Sequence, residues 1–207
     1  LSEAATPDAQ VWRSHATGNE IRNISARGDF IWCATNGGVV RWNTRDSTHT
    51  AFTILDGLSE TSTNLVSADS RGGTWITYMG SAARASYYDG FSWRRYDETN
   101  SGIPAQEVRS LFTDSRGNAW FGYNSEGIAR FDGSSWRKFL PDAALNATPV
   151  DIAVDRKGTK WVATSSGVVS FDAAGYRVFS TADGLAGNSV RRIKVDASGN
   201  LWLCTNN

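Results

Sequence analysis

The chain has 207 residues and balances 21 Lys and Arg against 21 Asp and Glu, with only 2 His. A net charge of zero provides no extended field for nucleic acid or an anionic membrane, so neither is predicted as a partner. No apolar run is long enough to cross a bilayer, so no membrane span is predicted. The 20 Gly, 4 Pro and 9 Trp suit one large all-β domain.

The first segment, residues 1–10, is small, polar and without periodicity, which predicts a linker or a loose N-terminal end. The next residues, VWRSH at 11–15, resemble the last strand of three later repeats, at 92–96, 135–139 and 175–179. We therefore expect the domain to begin at residue 11, with a fourth strand of a sheet at 11–16.

One pattern recurs along the rest of the chain. Its clearest copy is DSRGNAWFGYNSEGIARFD at 114–132, and further copies begin at Asp69, Asp155 and Asp196. A period of 41 to 45 residues with strand-type composition is typical of a β-propeller. Five tryptophans mark this period: Trp32, Trp75, Trp120, Trp161 and Trp202.

The repeats predict an all-β fold, a β-propeller of four-stranded antiparallel blades over 11–207, with about five blades. The last blade either takes its fourth strand from 11–16 or is truncated because the sequence is part of a longer chain. The repeats are expected at about 18–58, 59–103, 104–146, 147–185 and 186–207. In the first repeat, strands are expected at 21–25, 30–35, 39–42 and 51–55.

The turn after each inner strand has its own chemistry. An Asp side chain accepts hydrogen bonds from backbone N–H groups of its turn, and a Gly three residues later supplies a positive φ. A calcium loop would need several carboxylates interleaved within one loop, so no metal and no cofactor is predicted. The pairs are Asp69 and Gly72, Asp114 and Gly117, Asp155 and Gly158, and Asp196 and Gly199.

The five repeat tryptophans are interpreted as equivalent, largely buried core residues and not as a row for stacking sugars. Small residues two positions later leave room for the bulk of the neighbouring blade, at Ala34, Gly122 and Ala163. Cys33 and Cys204 lie one residue out of phase, which predicts two buried free thiols instead of a disulfide.

The repeat combines Asp-x-x-Gly-Asn-x-Trp, then Gly-(Val/Ile)-x-x-(Phe/Trp)-(Asp/Asn), with Asp-Gly-Leu links at 56–58 and 183–185. Over 21–207 it resembles the two-component regulator propeller repeat. Such repeats occur in periplasmic sensor halves of hybrid histidine kinases, where the propellers take part in recognising polysaccharide fragments. They also occur in secreted and surface-attached bacterial proteins. The resemblance implies a periplasmic, cell-surface or secreted location and a glycan or protein partner, within a longer chain or a larger assembly.

The candidate ligand-binding residues share one register on the inner strands, two residues before Ile24, Val66, Leu111, Ile152 and Ile193. Guanidinium groups near one mouth of a central channel suit carboxylate or sulfate groups of a ligand. Alternatively, they pair with Glu20, Glu107 and Asp151. The aligned residues are Arg22, Asn64, Arg109, Val150 and Arg191, and the loops of the same mouth add Tyr78, Tyr123, Asn124 and Glu126.

Catalytic residues are scarce. His15 and His49 are expected in the outer parts of their repeats, and no Gly-x-Ser-x-Gly elbow occurs. A propeller lyase of the streptogramin-inactivating type has a similar turn, but it would require His and Glu with a metal at the mouth. We therefore predict a non-catalytic binding, sensor or scaffold module. The alternative is a propeller lyase acting on a glycan or a cyclic peptide, and a protein–protein platform is a variant of the first interpretation.

Overall fold

The computed structural model describes residues 20–80, 84–124, 127–140 and 147–206, and the structural statements below concern these residues. They form strands β1 to β18 and one short 3₁₀ turn, Thr181–Asp183. The expected strand at 11–16, the predicted linker at 1–10 and His15 lie outside the described residues.

The strands form four sheets of four strands and one sheet of two. The first blade contains β1 (Ile21–Arg27), β2 (Phe30–Thr35), β3 (Gly38–Asn43) and β4 (His49–Phe52). The second contains β5 (Thr63–Ala68), β6 (Thr74–Tyr78), β7 (Ala85–Tyr88) and β8 (Trp93–Tyr96). The third contains β9 (Val108–Thr113), β10 (Ala119–Tyr123), β11 (Gly127–Phe131) and β12 (Trp136–Leu140). The fourth contains β13 (Pro149–Val154), β14 (Lys160–Thr164), β15 (Gly167–Phe171) and β16 (Tyr176–Phe179), and the last sheet contains β17 (Val190–Val195) and β18 (Leu201–Thr205).

This arrangement confirms the predicted all-β propeller of four-stranded antiparallel blades. One strand differs in position, because β4 covers His49–Phe52 and not 51–55. Asp56 Oδ2 accepts hydrogen bonds from the backbone N–H of Thr53 at 2.8 Å and from its hydroxyl at 3.0 Å. That turn ends the strand at Phe52, and His49 lies on the outermost strand, as expected.

The innermost strands β1, β5, β9, β13 and β17 pack side by side in chain order. Asn23 Oδ1 accepts from the backbone N–H of Val66, and Ser25 Oγ accepts from that of Ala68, both at 3.0 Å. Since both residue numbers rise together, the two neighbouring inner strands are parallel. All inner strands therefore begin at one end of the domain and end at the other.

The core lies between adjacent blades. Trp120 of β10 packs against Phe139 of its own blade and Phe171 of the next, with ring centroids 5.1 and 5.8 Å apart. A Cβ at Gly122 would lie 3.0 Å from Pro149 of the following blade. This contact confirms, for the third blade, that the small residue two positions after the tryptophan makes room for the neighbouring blade.

The repeat tryptophans share one register, because the residue after each pairs with the aligned apolar residue of its inner strand. Trp32, Trp75 and Trp120 are buried and Trp161 is half-buried, but Trp202 is 64% exposed. The prediction of burial is therefore wrong for Trp202. Its equivalents are covered by the next blade, and no described sheet packs on that face of β17 and β18.

The cysteines are free thiols, as predicted, but they are not buried. Cys33 is partly exposed and Cys204 is exposed. Cys204 lies on β18, whose second edge is paired with no described strand. Partial burial raises the pKa of the Cys33 thiol, so Cys33 ionises less readily at neutral pH than a fully exposed cysteine does.

The predicted turn chemistry is confirmed. Each turn Asp accepts from the backbone N–H groups two and four residues later, as Asp155 does from Lys157 at 2.9 Å and Thr159 at 3.0 Å. The same pattern holds for the other three turn aspartates. The glycines of these turns have φ between +80° and +90°. The turn carboxylates therefore accept hydrogen bonds that stabilise their own turns.

Candidate functional site

The innermost strands line a channel with a volume of about 1230 Å³. Because these strands are parallel, it has a strand-start mouth, where they begin, and a turn-side mouth, where they end. Leu65, Leu111 and Phe112 give its wall apolar surface, and the remaining lining is rich in Arg, Asn and Ser. A mixed lining of this kind is suited to a polar ligand with apolar faces.

A one-residue register shift between the first and second strands recurs at the strand-start mouth of every sheet. In β1 it falls between Ile21 and Asn23, so Arg22 is the extra residue. Such a bulge redirects a side chain, and bulges are frequent beside binding sites. The aligned set predicted from the sequence, from Arg22 to Arg191, occupies this shifted position in all five sheets.

Arg22 is held by its own surroundings. Its Nη1 donates to Ser62 Oγ at 2.7 Å and to the carbonyl oxygen of Thr63 at 3.1 Å. Its Nη2 lies 3.4 Å from Glu20 Oε2, and the side chain is 20% exposed. These contacts satisfy the guanidinium without a ligand, as in the alternative in which the arginines pair with protein carboxylates.

The other arginines of the set divide. Arg109 pairs with Glu107 at 3.0 Å and lines the channel. Arg191 donates to Asn206 Oδ1, and its neighbour Arg192 lines the channel in its place. The alternative pairing with Asp151 is not found among the described residues, where that carboxylate accepts from the backbone N–H groups of Ile152 at 3.0 Å and Ile193 at 3.1 Å.

The structure does not bring the predicted tyrosines to the mouth. Tyr78 and Tyr123 are 3% and 0% exposed, and neither lines the channel. Tyr78 donates to Ser86 Oγ at 2.7 Å and accepts from the backbone N–H of Ser59 at 2.9 Å, and burial raises its pKa. Both residues end a second strand on the face that packs against the preceding blade, so their predicted place at the channel mouth is wrong.

The remaining candidates are amide and acidic residues. Asn64 and Asn124 line the channel, and Asn124 Oδ1 accepts from the Thr148 hydroxyl at 3.2 Å. Glu126 lies outside the described residues. Two channel-lining amides and two carboxylate-paired arginines therefore stand near the strand-start mouth.

Three basic residues at the opposite mouth were missed by the sequence interpretation: Arg27, Arg156 and Lys194 all line the channel. A signal was available, since each stands within two residues of the end of an inner strand. Asp155 lies beside them, but its Oδ2 accepts from the Trp161 indole at 3.1 Å. Burial opposes ionisation of Asp155, yet the hydrogen bonds from Trp161 and Thr159 outweigh it and lower its pKa.

Neither a metal site nor catalytic histidines are found in the part of the chain that the structure describes. No group of three or more His, Cys, Asp or Glu is placed to hold a metal ion there. His49 lies on β4, at the outer edge of its blade, and the lining of the channel includes no histidine among the described residues. None of the helical segments in the described ranges has the length and apolar character of a transmembrane helix.

The comparison with protein families supports the resemblance seen in the repeat. The profile of the family described as two component regulator propeller matches residues 184–207. The predicted similarity to this repeat is thereby confirmed. No curated protein matches the sequence significantly.

Solved structures share the fold at low sequence identity. The extracellular domain of a putative hybrid two component system from B. thetaiotaomicron superposes with a TM-score of 0.70 at 16% identity, over 97% of this chain and 27% of that one. PorZ, a surface component of the type-IX secretion system of Porphyromonas gingivalis, gives 0.69 at 14% identity, over 100% and 33%. Virginiamycin B lyase from Staphylococcus aureus gives 0.72 at 16% identity, over 90% and 63%. The chain therefore spans about a quarter to two thirds of these proteins.

Proposed function

We propose that the chain is a non-catalytic ligand-binding module, a sensor or scaffold propeller of a bacterial extracytoplasmic protein. One observation carries the proposal. The channel of about 1230 Å³ presents guanidinium and amide groups, and its described lining includes no histidine. Such a surface binds polar ligands through hydrogen bonds, and its two carboxylates, Asp151 and Asp155, already accept hydrogen bonds from backbone N–H groups.

The structural relatives support the location and the class. Two of them are an extracellular domain of a two component system and a bacterial surface component of a secretion system. At these identities the likeness shows the fold alone, because function depends on the site and not on the scaffold. Extracytoplasmic location and a sensing or scaffolding role are therefore our proposal for this chain.

The lyase alternative has less support from the site. A histidine-to-alanine variant of virginiamycin B lyase is described as catalytically inactive. In the channel described here, the lining residues include six basic and two acidic side chains. The arrangement favours binding over lyase chemistry on a glycan or cyclic peptide.

A glycan is the ligand class that we propose. Asn64 and Asn124 line the channel and offer both donors and acceptors to hydroxyl groups. Leu111 and Phe112 supply apolar surface for the faces of sugar rings. A protein partner that presents similar groups on a loop remains the second form of this proposal.

Calorimetric titration with neutral and acidic oligosaccharides, at low and at physiological salt, tests the proposal. We expect saturable binding without change of the ligand, which mass spectrometry of the mixture checks. Asn64→Ala combined with Asn124→Ala should weaken binding, whereas Arg94→Ala on the outer strand β8 should not. Cleavage of a glycan, or binding that survives the loss of both amides, would contradict the proposal or its site.

A further inference from the structure

We infer that the turn-side mouth of the channel is an anion-recognition site for the sulfate or carboxylate groups of an acidic oligosaccharide. The inference rests on the proposed function, because it assumes that the channel takes up a glycan. It assigns the charge recognition to Arg27, Arg156 and Lys194, at the end of the channel opposite to the aligned arginines.

These three side chains reach one mouth because of the strand directions. Arg27 is the last residue of β1, Lys194 is next to last in β17, and Arg156 follows β13 by two residues. The inner strands are parallel, so their ends meet at the same end of the domain. All three residues line the same channel.

The two mouths differ in how their cations are compensated. At the strand-start mouth, Glu20 lies 3.4 Å from Arg22 and Glu107 lies 3.0 Å from Arg109. At the turn-side mouth, Arg27, Arg156 and Lys194 form no ion pair or side-chain hydrogen bond with another described residue. Like charges that line one channel disfavour one another, and a bound anion relieves that cost.

The nearby carboxylates do not serve as these counterions. Asp155 Oδ1 accepts from two backbone N–H groups of its turn, and Oδ2 accepts from the Trp161 indole. Asp151, deeper in the channel, accepts from the backbone N–H groups of Ile152 and Ile193. Both acidic residues of the lining are thus engaged by the backbone or an indole, and the cations of the turn-side mouth stay available.

The donor set defines the ligand chemistry. A guanidinium presents parallel N–H groups that match the two oxygens of a carboxylate or sulfate, and an ammonium adds a compact charge. Phe112 lines the channel between the mouths and gives an apolar face for a sugar ring. A saccharide with at least two anionic groups satisfies both features.

The test compares a sulfated glycosaminoglycan disaccharide with its desulfated form by calorimetry, in low and physiological salt. The turn-side variant is Arg27→Gln with Arg156→Gln, and the matched control at the other mouth is Arg22→Gln with Arg109→Gln. We expect tighter binding of the sulfated probe and a loss of about tenfold or more in the turn-side variant, as removal of charge-assisted hydrogen bonds produces. The control should change affinity by less than about threefold, since its arginines already have protein partners.

Four results would overturn the inference. Equal affinity for the sulfated and desulfated probes would show that charge is not recognised. Loss of binding in the control and not in the turn-side variant would move the site to the strand-start mouth and leave the proposed function standing. Equal binding of a polyglutamate peptide of the same charge would remove the saccharide assignment. Failure of every oligosaccharide to bind would contradict the glycan form of the proposed function as well.

Discussion

Tyr87 donates a hydrogen bond of 2.8 Å to Asp69 Oδ2, the position where a tryptophan indole donates in three other repeats. There the indoles of Trp120, Trp161 and Trp202 bind their turn aspartates at 3.0, 3.1 and 2.9 Å. Trp75 keeps its buried place, but its Nε1 has no hydrogen-bond partner among the described residues. The second blade has therefore exchanged one donor for another.

The exchange depends on Gly73. The corresponding residue in the third and last repeats is an Asn, whose amide donates to the turn Asp. A Cβ at Gly73 would lie 2.0 Å from the Tyr87 hydroxyl oxygen, so a side chain there would displace the phenol. Gly73 and Tyr87 thus depart from the repeat pattern together, because the tyrosine reaches Asp69 only where residue 73 has no side chain.

A double-mutant cycle tests this coupling. Gly73→Asn alone should destabilise the domain, because it displaces Tyr87, and Tyr87→Ser alone should remove a donor from the buried Asp69. The double variant restores side chains found at these positions in other repeats, so we expect a coupling free energy of about 1–2 kcal/mol. Urea denaturation of the four proteins measures it. Additive losses would show that the two residues act independently.

Acid stability gives a second prediction, centred on Asp114. Burial opposes its ionisation, but hydrogen bonds from Asn118 and Trp120 outweigh that effect and lower its pKa. In the unfolded chain the pKa of an Asp is about 4, so the unfolded state takes up a proton before the folded state does as pH falls. The contribution of Asp114 to the free energy of unfolding should therefore be constant above about pH 5 and fall below it.

The matched variants for this experiment are Asp114→Asn and Glu98→Gln. Asp114→Asn removes the titrating group, so its unfolding free energy should be lower at pH 7 and less dependent on pH between about 5 and 3. Glu98→Gln removes the same charge from an exposed turn residue and is the control for the loss of one negative charge. A slope in Asp114→Asn as steep as in the unsubstituted protein would contradict the assigned role of this carboxylate.

Much of the fold could be predicted because its determinants are local and repeated. The tryptophan period, the Asp and Gly of four turns and the small residue two positions after three of the tryptophans recur in the sequence, and each has one structural meaning. The exposure of Trp202 could not be predicted this way, because its burial depends on whether a sheet covers that face. The motif Asp-x-x-Gly-Asn-x-Trp that leads into Trp202 is the same as the one that leads into Trp120.

The candidate site was predicted less completely. Alignment found the shifted register of Arg22, Asn64 and Arg109, but it could not show that the bulge leaves Arg192, and not Arg191, in the channel. The assignment of Tyr78 and Tyr123 to loops of the mouth also failed, because both residues end a second strand and their rings fill the space between blades. Side-chain direction at a strand end depends on packing between blades, which the repeat pattern does not encode.

A third prediction compares two glycines of the fourth blade. Gly167 and Gly175 have φ of +134° and +140°, a region that disfavours residues with a Cβ. A Cβ at Gly167 would lie 2.2 Å from the carbonyl oxygen of Phe179, whereas one at Gly175 would meet nothing within 4 Å. Gly175→Ala should cost about 1–2 kcal/mol from backbone strain alone.

Gly167→Ala should cost more than Gly175→Ala, because the backbone clash adds to a similar strain. Thermal unfolding followed by circular dichroism compares the two variants, and Gly167→Ala should show the lower melting temperature. The hydrogen-bonded pairing of β15 and β16 holds their backbones together near Gly167. Equal melting temperatures would show that the backbone moves enough there to accept a Cβ, which would contradict the predicted clash.

The fourth prediction contrasts two tryptophans with the same place in the repeat. Trp120 is 1% exposed and packs against Phe139 and Phe171, so Trp120→Ala removes buried aromatic surface and leaves a cavity. It should cost about 3–5 kcal/mol of unfolding free energy. Trp202 is 64% exposed, and Trp202→Ala loses mainly its hydrogen bond to Asp196, which is worth about 0.5–1.5 kcal/mol.

Urea denaturation of the two variants measures both losses, and Trp202→Phe separates the indole hydrogen bond from the ring. Equal losses for the two alanine variants would show that Trp202 is covered in solution, and a loss under about 1 kcal/mol for Trp120→Ala, far below the range for a buried tryptophan, would contradict its place in the core.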